Sequence, residues 1–280
     1  VAANKKGFAG PAGDWRRLRA AARDGGALYH ETTVGAGLPV LRTVADLVDT
    51  GDRVLRLQGV LSGTLGYLCD QVMQGHAFSE AVREAHQRGY TEPHPGDDLS
   101  GMDVARKLVI LARAAGLDLE VEDVAVASLL PGSPGDPLDE LWKRLPELDA
   151  ELEAHRERAR SKGGRLAYLG TVEDGTARVG LEVVGQEHPC WSLGGSENLV
   201  LVMSERYRDT PLVVRGPGAG PEVTAAGVFA DLLRARAEAR EVPVPLPRPE
   251  EVAGADGTRS SGGVTAASPP ARSPAPGGAR

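Results

Sequence analysis

Apolar residues recur at helical spacing in several segments of the chain. In residues 14–24, Trp15, Leu18 and Ala22 lie three to four positions apart and define one apolar face. Residues 138–161 are heavily charged, and their leucines recur at the same interval, which is typical of an outer helix with one solvated side. The pattern predicts helices over residues 14–24, 65–74, 78–88, 102–115, 138–161 and 223–236.

Shorter apolar or alternating segments predict β-strands. The opening run V-A-A-N-K-K reads as the end of a buried strand, and residues 27–30 read as another strand. Asp174-Gly175 is typical of a turn between two later strands. The later strands are predicted over residues 54–61, 165–172, 177–184, 198–204 and 212–215. Strands mixed with helices favour an α/β fold, in which helices cover a mixed β-sheet.

Composition argues against several classes of function. The formal net charge of -7 and the pI near 5.5 argue against a nucleic-acid-binding surface. No apolar run approaches a membrane span, and the N-terminus lacks the apolar core of a signal peptide, so we expect a soluble cytoplasmic protein. From about residue 243 onward the chain is mostly Pro, Gly, Ala, Ser and Arg, which predicts a disordered tail over residues 241–280.

Cysteine usage indicates no zinc site and no disulfide framework. Cys69 and Cys190 are far apart in the sequence and no second pair accompanies them. His188, Cys190 and Trp191 stand close together, but their spacing supports neither a metal site nor a nucleophile. We therefore expect these residues to pack within a loop.

The segment from Tyr90 to Lys107 contains the densest candidate chemistry in the chain. It reads Y-T-E-P-H-P-G-D-D-L-S-G-M-D-V-A-R-K, with four carboxylates followed by a lysine. Its prolines and Gly96 break regular structure, so the first three carboxylates are expected on a loop. These carboxylates are Glu92, Asp97 and Asp98.

A helix is predicted to begin within this segment at Met102. Ser100 is the expected N-cap, and Asp103 is the expected reciprocal partner of a capping box. Asp103 and Lys107 are four residues apart and share a face with apolar residues. Spacing leaves two interpretations of this pair open. It is either an ordinary ion pair contributing roughly a few tenths of a kcal/mol, or a lysine held in an acidic pocket as a proton donor near neutral pH.

This segment resembles the characteristic motif of the homoserine dehydrogenases. Further stretches agree in the same order along the chain. They are Asn4-Lys5-Lys6, E-T-T-V-G-A-G-L-P at 31–39, G-V-L-S-G-T at 59–64, Glu205-Arg206-Tyr207 and G-P-G-A-G at 216–220. The resemblance covers about residues 1–236 and is closest to the dehydrogenase half of the bifunctional aspartokinase–homoserine dehydrogenases.

The resemblance implies a division of the chain. Residues 1–27 correspond to the C-terminal remnant of a Rossmann NAD(P)-binding domain, and residues 28–220 to a catalytic domain that binds substrate and dimerises. Residues 221–240 correspond to a helix that returns to the nucleotide domain, and residues 241–280 are the disordered tail. Because no G-x-G-x-x-G fingerprint follows the opening residues, we expect an N-terminally truncated piece rather than a protein that has lost its dinucleotide domain.

The resemblance also implies a reaction. It is the reduction of L-aspartate 4-semialdehyde to L-homoserine by NADP- or NAD-linked chemistry, in threonine, methionine and isoleucine biosynthesis, by a homodimer. The implied catalytic residues are Lys107 as the proton donor, Asp103 as its orienting partner and Lys5 as a second lysine. The implied substrate-binding residues are Glu92, Asp97, Asp98, Tyr90, Gly63 and Thr64. The implied cofactor-binding residues are Lys5 and Gly220.

A turn of small residues after Glu31 is the candidate cation site. The G-A-G run at 35–37 forces a tight backbone, and its carbonyls together with a carboxylate suit a hard cation. A turn without an ion is the competing interpretation. The resemblance implies Na⁺ or K⁺, held by Glu31 and by the carbonyls of Val34, Ala36 and Leu38.

Two other functions compete with the dehydrogenase. An inactive amino-acid-binding or dimerisation module lacking the dinucleotide site would bind homoserine but not NADPH. A metal-dependent hydrolase using the acidic segment is disfavoured, because its carboxylates lack the usual accompanying histidines and a central lysine would compete with the metal.

Overall fold

Six β-strands form one mixed sheet within the residues that the computed structural model describes, namely 1–24, 26–195 and 197–241. The strands are β1 Val54–Val60, β2 Val124–Val126, β3 Arg165–Glu173, β4 Thr176–Val184, β5 Glu197–Ser204 and β6 Leu212–Pro217. Their spatial order is β2-β4-β3-β1-β5-β6. Strand β2 is parallel to β4, and the other neighbouring pairs are antiparallel. The predicted α/β fold with a mixed sheet is therefore confirmed.

Helices surround this sheet, and residues 1–239 form one compact unit. The α-helices are α1 Lys6–Ala9, α2 Ala12–Arg23, α3 Val40–Asp49, α4 Gly63–Gln74, α5 Phe78–Gln87, α6 Pro95–Leu99, α7 Met102–Ala114, α8 Leu138–Arg144, α9 Asp149–Ser161 and α10 Pro221–Glu241. No helix among the described residues combines the length and the apolar character needed to cross a membrane. The predicted tail over 241–280 lies almost entirely outside the described residues.

Helix α7 lies at the centre of the main core. It packs against β3, β4, α1 and α3. Burying a leucine-sized side chain contributes about 1.5–3 kcal/mol, so the burial of most of its apolar residues holds this helix firmly. Its first turns are therefore a rigid base for charged side chains. The buried apolar residues of α7 are Val104, Ala105, Leu108, Val109, Ile110, Leu111 and Ala112.

The two faces of the sheet carry separate apolar clusters. In β3, Leu166 and Tyr168 belong to the main cluster with the helices, whereas Ala167 and Leu169 belong to a second cluster. This alternation follows the two-residue period of a β-strand. Cys190 joins the second cluster from outside the sheet.

The segment expected to pack as a loop contributes a 3₁₀ turn, Pro189–Ser192. The His188 Nε2 atom lies 2.9 Å from the Gln58 Oε1 atom, and Cys190 is buried. No group of three or more His, Cys, Asp or Glu side chains in the described part of the chain is arranged to hold a metal ion. The segment therefore packs against the sheet, in agreement with the expectation.

Two predicted strands are absent, and one predicted helix is broken. The opening residues and residues 27–30 are joined by a hydrogen bond from Ala2 N to Tyr29 O (2.8 Å), but a strand requires a ladder of such bonds, which they do not form. The predicted helix over 138–161 is divided into α8, a 3₁₀ turn and α9. Pro146 lies at this division because proline has no N–H to donate to a continuous helix.

The glycines at the two ends of α7 provide a test of its packing. Gly101 (φ 72°) and Gly116 (φ 85°) both have left-handed backbones, so alanine is strained at either position. A Cβ atom at Gly101 would also overlap the Tyr168 hydroxyl, whereas no atom lies within 4 Å of one at Gly116. We expect Gly101→Ala to lower the free energy of unfolding by about 1–3 kcal/mol more than Gly116→Ala does. Urea unfolding measures this difference, and equal losses would contradict the packing.

Candidate active site

The Asp103 carboxylate lies between two lysine side chains. Its Oδ2 atom is 3.0 Å from the Lys107 Nζ atom, and its Oδ1 atom is 3.3 Å from the Lys5 Nζ atom. The Lys107 Nζ atom also donates a hydrogen bond to the Leu61 carbonyl at 2.7 Å. The Lys107 side chain is 14% exposed, so it is largely enclosed by these partners. All three predicted catalytic residues therefore form one cluster.

Three segments that are distant in the sequence meet at this cluster. Lys5 stands immediately before α1, Leu61 follows the last residue of β1, and Asp103 and Lys107 lie in the first turns of α7. The helical repeat brings Asp103 and Lys107 to the same side of α7. The second lysine is added by the packing of α1 against α7, and the carbonyl is added by Leu61, the residue that follows β1.

The electrostatics of Asp103 follow from its neighbours. Burial raises the pKa of this carboxyl, but the positive charges of Lys107 and Lys5 outweigh burial and leave its pKa below the ordinary value of 3.8. The carboxylate is therefore ionised at neutral pH. It attracts two ammonium groups into one small region, where they concentrate positive charge.

The predicted capping box is wrong. The residue before α7 is Gly101, whose left-handed backbone (φ 72°) begins the helix without a side-chain cap. The Ser100 hydroxyl instead donates to the Asp97 carbonyl at 2.7 Å and accepts the Met102 N–H at 3.3 Å. Asp103 does not act as a capping partner, because its carboxylate pairs with the lysines.

The predicted loop placement of Asp97 and Asp98 is also wrong. Both residues lie in the short helix α6, which begins at Pro95. Proline is favoured at a helix start, because its missing N–H has no intrahelical partner there and its φ angle suits the first turn. The His94 ring caps this helix by accepting the Gly96 N–H at 3.1 Å. Glu92 lies outside regular secondary structure, as predicted.

A cleft of about 380 Å³ joins the acidic residues. Four carboxylates line it, and Asp103 is the one that also contacts the lysines. Lys107 and Lys5 do not line the cleft. They are connected to it by their ion pairs with Asp103, which does. The lining residues are Glu92, His94, Gly96, Asp97, Asp98, Ser100, Met102, Asp103, Arg106, Leu130, Pro134 and Gly135.

Hydrogen bonds connect the cleft to the start of α4. The Thr64 hydroxyl donates to the Tyr90 carbonyl at 2.7 Å, and the Glu92 N–H donates to Asp98 Oδ2 at 2.8 Å. Burial raises the pKa of Asp98, and the Glu92 N–H and the Thr64 hydroxyl oppose that rise. The Tyr90 ring is half exposed and packs edge-on against Tyr67 at 5.3 Å between ring centroids. The predicted substrate residues Thr64, Tyr90, Glu92 and Asp98 are thus linked to one another.

Gly63 is the first residue of α4, next to Thr64. The Ser62 hydroxyl caps this helix by accepting the Leu65 N–H at 3.2 Å. Ser62 directly follows Leu61, the residue whose carbonyl accepts Lys107. Two adjacent residues, Leu61 and Ser62, therefore connect the lysine cluster to the start of α4.

The candidate cation turn is organised around buried Glu31. Its carboxylate accepts the N–H groups of Leu41 (2.7 Å) and Arg42 (3.1 Å), which lie in the first turn of α3. Burial raises the pKa of Glu31. Ala36 in the same turn has a left-handed backbone (φ 54°), and the Leu38 carbonyl accepts the Val40 N–H at 2.8 Å.

The donor chemistry of this turn fits a hard monovalent cation. A buried carboxylate and several backbone carbonyls supply oxygen donors only, which hard cations prefer. The Thr32 hydroxyl in the same turn is buried and has no hydrogen-bond partner among the described residues. The carbonyls assigned to the ion are those of Val34, Ala36 and Leu38, and their role stays a prediction.

Gly220 precedes α10 and has a left-handed backbone (φ 127°). It lines an open groove of about 750 Å³ together with apolar residues of α10. No hydrogen bond among the described residues joins Gly220 to the lysine cluster. Its predicted contact with a dinucleotide stays a prediction.

Comparison with known proteins identifies the family. The family model described as homoserine dehydrogenase matches residues 39–233, which is more than half of the 280 residues. The chain belongs to the homoserine dehydrogenase family. The resemblance inferred from the motifs is therefore confirmed.

Two curated relatives show how much of a homoserine dehydrogenase the chain covers. A homoserine dehydrogenase of Emericella nidulans is 45% identical over 249 residues, covering 84% of this chain and 68% of that protein. The chloroplastic bifunctional aspartokinase/homoserine dehydrogenase 1 of Zea mays is 44% identical over 239 residues, covering 84% of this chain. The chain spans only 26% of the length of this plant relative.

A solved structure has the same fold. The crystal structure of a Candida auris protein of unknown function superposes with a TM-score of 0.78 and 40% sequence identity. The match covers 83% of this chain and 68% of that one. Most of this chain therefore adopts the fold of that solved structure.

Sequence reasoning missed two residues of the site. Leu61 supplies a backbone carbonyl, which no side-chain pattern reveals, although it lies within the G-V-L-S-G-T stretch shared with homoserine dehydrogenases. Arg106 lines the cleft although its helical position places it away from Lys107. Leu61 and Arg106 reach the site because of how the backbone folds around it, which side-chain patterns in the sequence do not reveal.

The lowered pKa of Asp103 predicts a pH-dependent contribution to stability. A carboxylate with a depressed pKa stabilises the folded state above its unfolded pKa, and this contribution is lost as pH falls through the folded pKa. We expect Asp103→Asn to be less stable than the unsubstituted chain at pH 7, with the difference shrinking below about pH 3.8. Urea unfolding over a pH series measures it.

Asp174→Asn is the control for this series. Asp174 is exposed in a turn with a left-handed backbone that asparagine also tolerates. We expect only a small change there at every pH. An Asp103→Asn effect that is equally large at pH 3 and pH 7 would show that charge pairing is not its cause.

Proposed function

We propose that this chain is the catalytic part of a homoserine dehydrogenase, which interconverts L-aspartate 4-semialdehyde and L-homoserine. The observation that carries the proposal is the enclosed Lys107 ammonium, held by Asp103 and by the Leu61 carbonyl beside an acidic cleft. The family assignment supports the same oxidoreductase reaction. It favours the dehydrogenase over an inactive binding module.

Lys107 acts on the substrate oxygen. The chemistry that NADPH or NADH would supply when bound is a hydride for the aldehyde carbon. The resulting negative charge on oxygen needs a positioned cation and a proton, and Lys107 provides both. Asp103 orients Lys107 through the 3.0 Å ion pair. Lys5 adds a second positive charge on the nucleotide side.

The acidic cleft selects an amino-acid substrate. The substrate carries an ammonium group, which a carboxylate partner stabilises when both leave water. Glu92 is the proposed partner, with Asp97 and Asp98 adding negative charge to the same cleft. Gly63, Thr64 and Tyr90 shape the neighbouring wall through the Thr64–Tyr90 hydrogen bond.

The cofactor side of the site is assigned to Lys5 and Gly220. In the proposed division, residues 1–27 complete a Rossmann nucleotide domain and residues 221–240 return to it, while 28–220 is the catalytic domain. The groove beside Gly220 and the exposed side chains of Phe229 and Leu232 on α10 support this division, because an apolar helix face needs a partner.

A monovalent cation, Na⁺ or K⁺, completes the proposal. Glu31 and the carbonyls of Val34, Ala36 and Leu38 would hold it and supply oxygen ligands in a rigid turn. Its contribution would be structural, because the turn caps α3 through Glu31.

The wider assignment follows the family. We propose that the protein serves threonine, methionine and isoleucine biosynthesis and that it acts as a homodimer. The homodimer is inferred from membership of the homoserine dehydrogenase family.

Substituting Lys107 tests the proposed chemistry. In a complete version of the protein that carries the dinucleotide domain, we expect Lys107→Ala to lower kcat by orders of magnitude while KM for the semialdehyde stays within a few-fold. The reason is that the ammonium acts mainly on charge that develops in the transition state. Steady-state kinetics with NADPH measures both constants.

Lys143→Ala is the matched control, because Lys143 is an exposed lysine on α8 paired with Asp139 and Glu140. We expect its kinetics to equal those of the unsubstituted chain. A rise in KM alone in Lys107→Ala would remove Lys107 from the chemistry. Homoserine binding without any NADPH binding at millimolar cofactor would favour the inactive module.

The cation proposal predicts salt-specific stabilisation. We expect NaCl or KCl to raise Tm more than choline chloride at equal ionic strength, because a ligand that binds only the folded state stabilises it. Glu31→Gln should abolish the difference between the salts, and differential scanning fluorimetry measures it. An identical Tm in all three salts would exclude a specific ion site at this turn.

A further inference from the structure

Arg113, in the last turn of α7, is a buried cation far from the acidic cleft. Its side chain is only 1% exposed. Its Nη1 atom donates to the carbonyls of Phe8 and Gly10, each at 2.7 Å, and its Nε atom donates to the Leu119 carbonyl at 3.0 Å. Its Nη2 atom pairs with Glu120 Oε2 at 3.0 Å. These partners all lie outside α7.

Burying a guanidinium costs free energy that only this set of partners offsets. Burial lowers the pKa of Arg113, and the neighbouring Glu120 carboxylate opposes that change. An apolar side chain would fill the same core position without this cost. We therefore attribute the arginine at this position to the backbone carbonyls that it binds. Two of them, those of Phe8 and Gly10, lie at the end of α1.

The segment held by Arg113 is the one that carries Lys5. Helix α1 spans only Lys6–Ala9, with Lys5 directly before it and Gly10 directly after it. A helix this short is not stable by itself. Its two ends are fixed on α7 instead, by Asp103 on Lys5 and by Arg113 on the carbonyls of Phe8 and Gly10.

Helix α7 sets the distance between these two attachment points. Asp103 and Arg113 are ten residues apart in a continuous helix, which separates them by about 15 Å along its axis. The helix core is buried and rigid, so the two points keep a constant separation. A segment tied at both points has little freedom to move Lys5 away from Asp103.

Glu120 completes the attachment. One carboxylate oxygen accepts from Arg113, and the other accepts the Ala12 N–H at 2.8 Å, at the start of α2. The Phe8 ring stacks on His30 at 4.1 Å between ring centroids, which fixes the same segment from its other side.

We propose that Arg113 is a positioning residue for the dehydrogenase reaction, which holds Lys5 against Asp103 by binding the backbone of α1. The inference rests on the proposed function for its kinetic consequence. The part of the proposal that concerns the position of the Lys5 ammonium does not depend on catalysis. Arg113 itself touches neither the cleft nor the lysine cluster.

Lysine is not expected to replace Arg113. The guanidinium binds Phe8, Gly10, Leu119 and Glu120 at once through a planar fork, whereas an ammonium has three donors and no fixed plane. Arg113→Lys therefore keeps the positive charge but loses some of the hydrogen bonds that hold the backbone of α1. Arg158→Lys, at an exposed position of α9, is the matched control.

A double-mutant cycle tests the kinetic part in a complete version of the protein that carries the dinucleotide domain. We expect Arg113→Lys to lower kcat about tenfold, with KM for the semialdehyde within a few-fold and Arg158→Lys unchanged. In a Lys5→Met background, Arg113→Lys should lower kcat no further, because the residue through which it acts is already gone. An equal further loss in that background would show a general structural defect and would overturn the proposal.

Reactivity of Lys5 tests the geometric part without catalysis. We expect an amine-acylating reagent, read out by peptide mass spectrometry, to label Lys5 several-fold faster in Arg113→Lys than in the unsubstituted chain or in Arg158→Lys. Glu120→Ala, at a partly exposed site, should give a smaller increase in the labelling rate of Lys5. This variant replaces Arg113→Lys in the test if Arg113→Lys does not fold. An unchanged labelling rate in a folded variant would overturn the proposal. Changed labelling in a complete version of the protein that lacks dehydrogenase activity would support the role of Arg113 in placing Lys5 and would reject the proposed function alone.

Discussion

One carboxylate shared by two ammonium groups is the interaction on which the candidate site depends. Asp103 offsets part of the repulsion between Lys5 and Lys107 and holds them near each other. Without it, the two like charges would repel each other in a partly enclosed space. The arrangement keeps both lysines beside the cleft, and the Leu61 carbonyl gives Lys107 a second fixed partner.

Buried and partly buried charges also join other parts of the molecule. Arg113 ties α7 to the segment before α2, and Arg165 pairs with Asp70 to connect β3 and α4. Asp231 of α10 accepts the Glu31 N–H at 3.0 Å and so connects the last helix to the cation turn. Each such contact links segments that are far apart in the sequence. Breaking one leaves an unpaired buried group, which costs more than the pair contributes.

Periodicity and motif were reliable for local structure and for family. The apolar repeat predicted α7 to within one residue, and four-residue spacing placed Asp103 and Lys107 together. The errors lie where a residue has two local options. Ser100 is a good N-cap by type, yet Gly101 adopts the left-handed turn and begins the helix. The sequence predicts that Pro95 breaks regular structure, but at a helix start proline favours α6.

Local patterning was sufficient for α2, α4, α5, α7 and α10, for the strands other than β2 and for the α7 ion pair, because these depend on residues a few positions apart. It did not predict α3 or β2. It was insufficient for the placement of Lys5, the Leu61 carbonyl and the joining of four carboxylates in one cleft. Those features depend on contacts between segments tens of residues apart. They arise only when α1 packs on α7 and the residue after β1 comes within hydrogen-bond distance of Lys107. The sequence by itself determines which chemical groups are present. The distances between those groups are determined by the packing of the hydrophobic core.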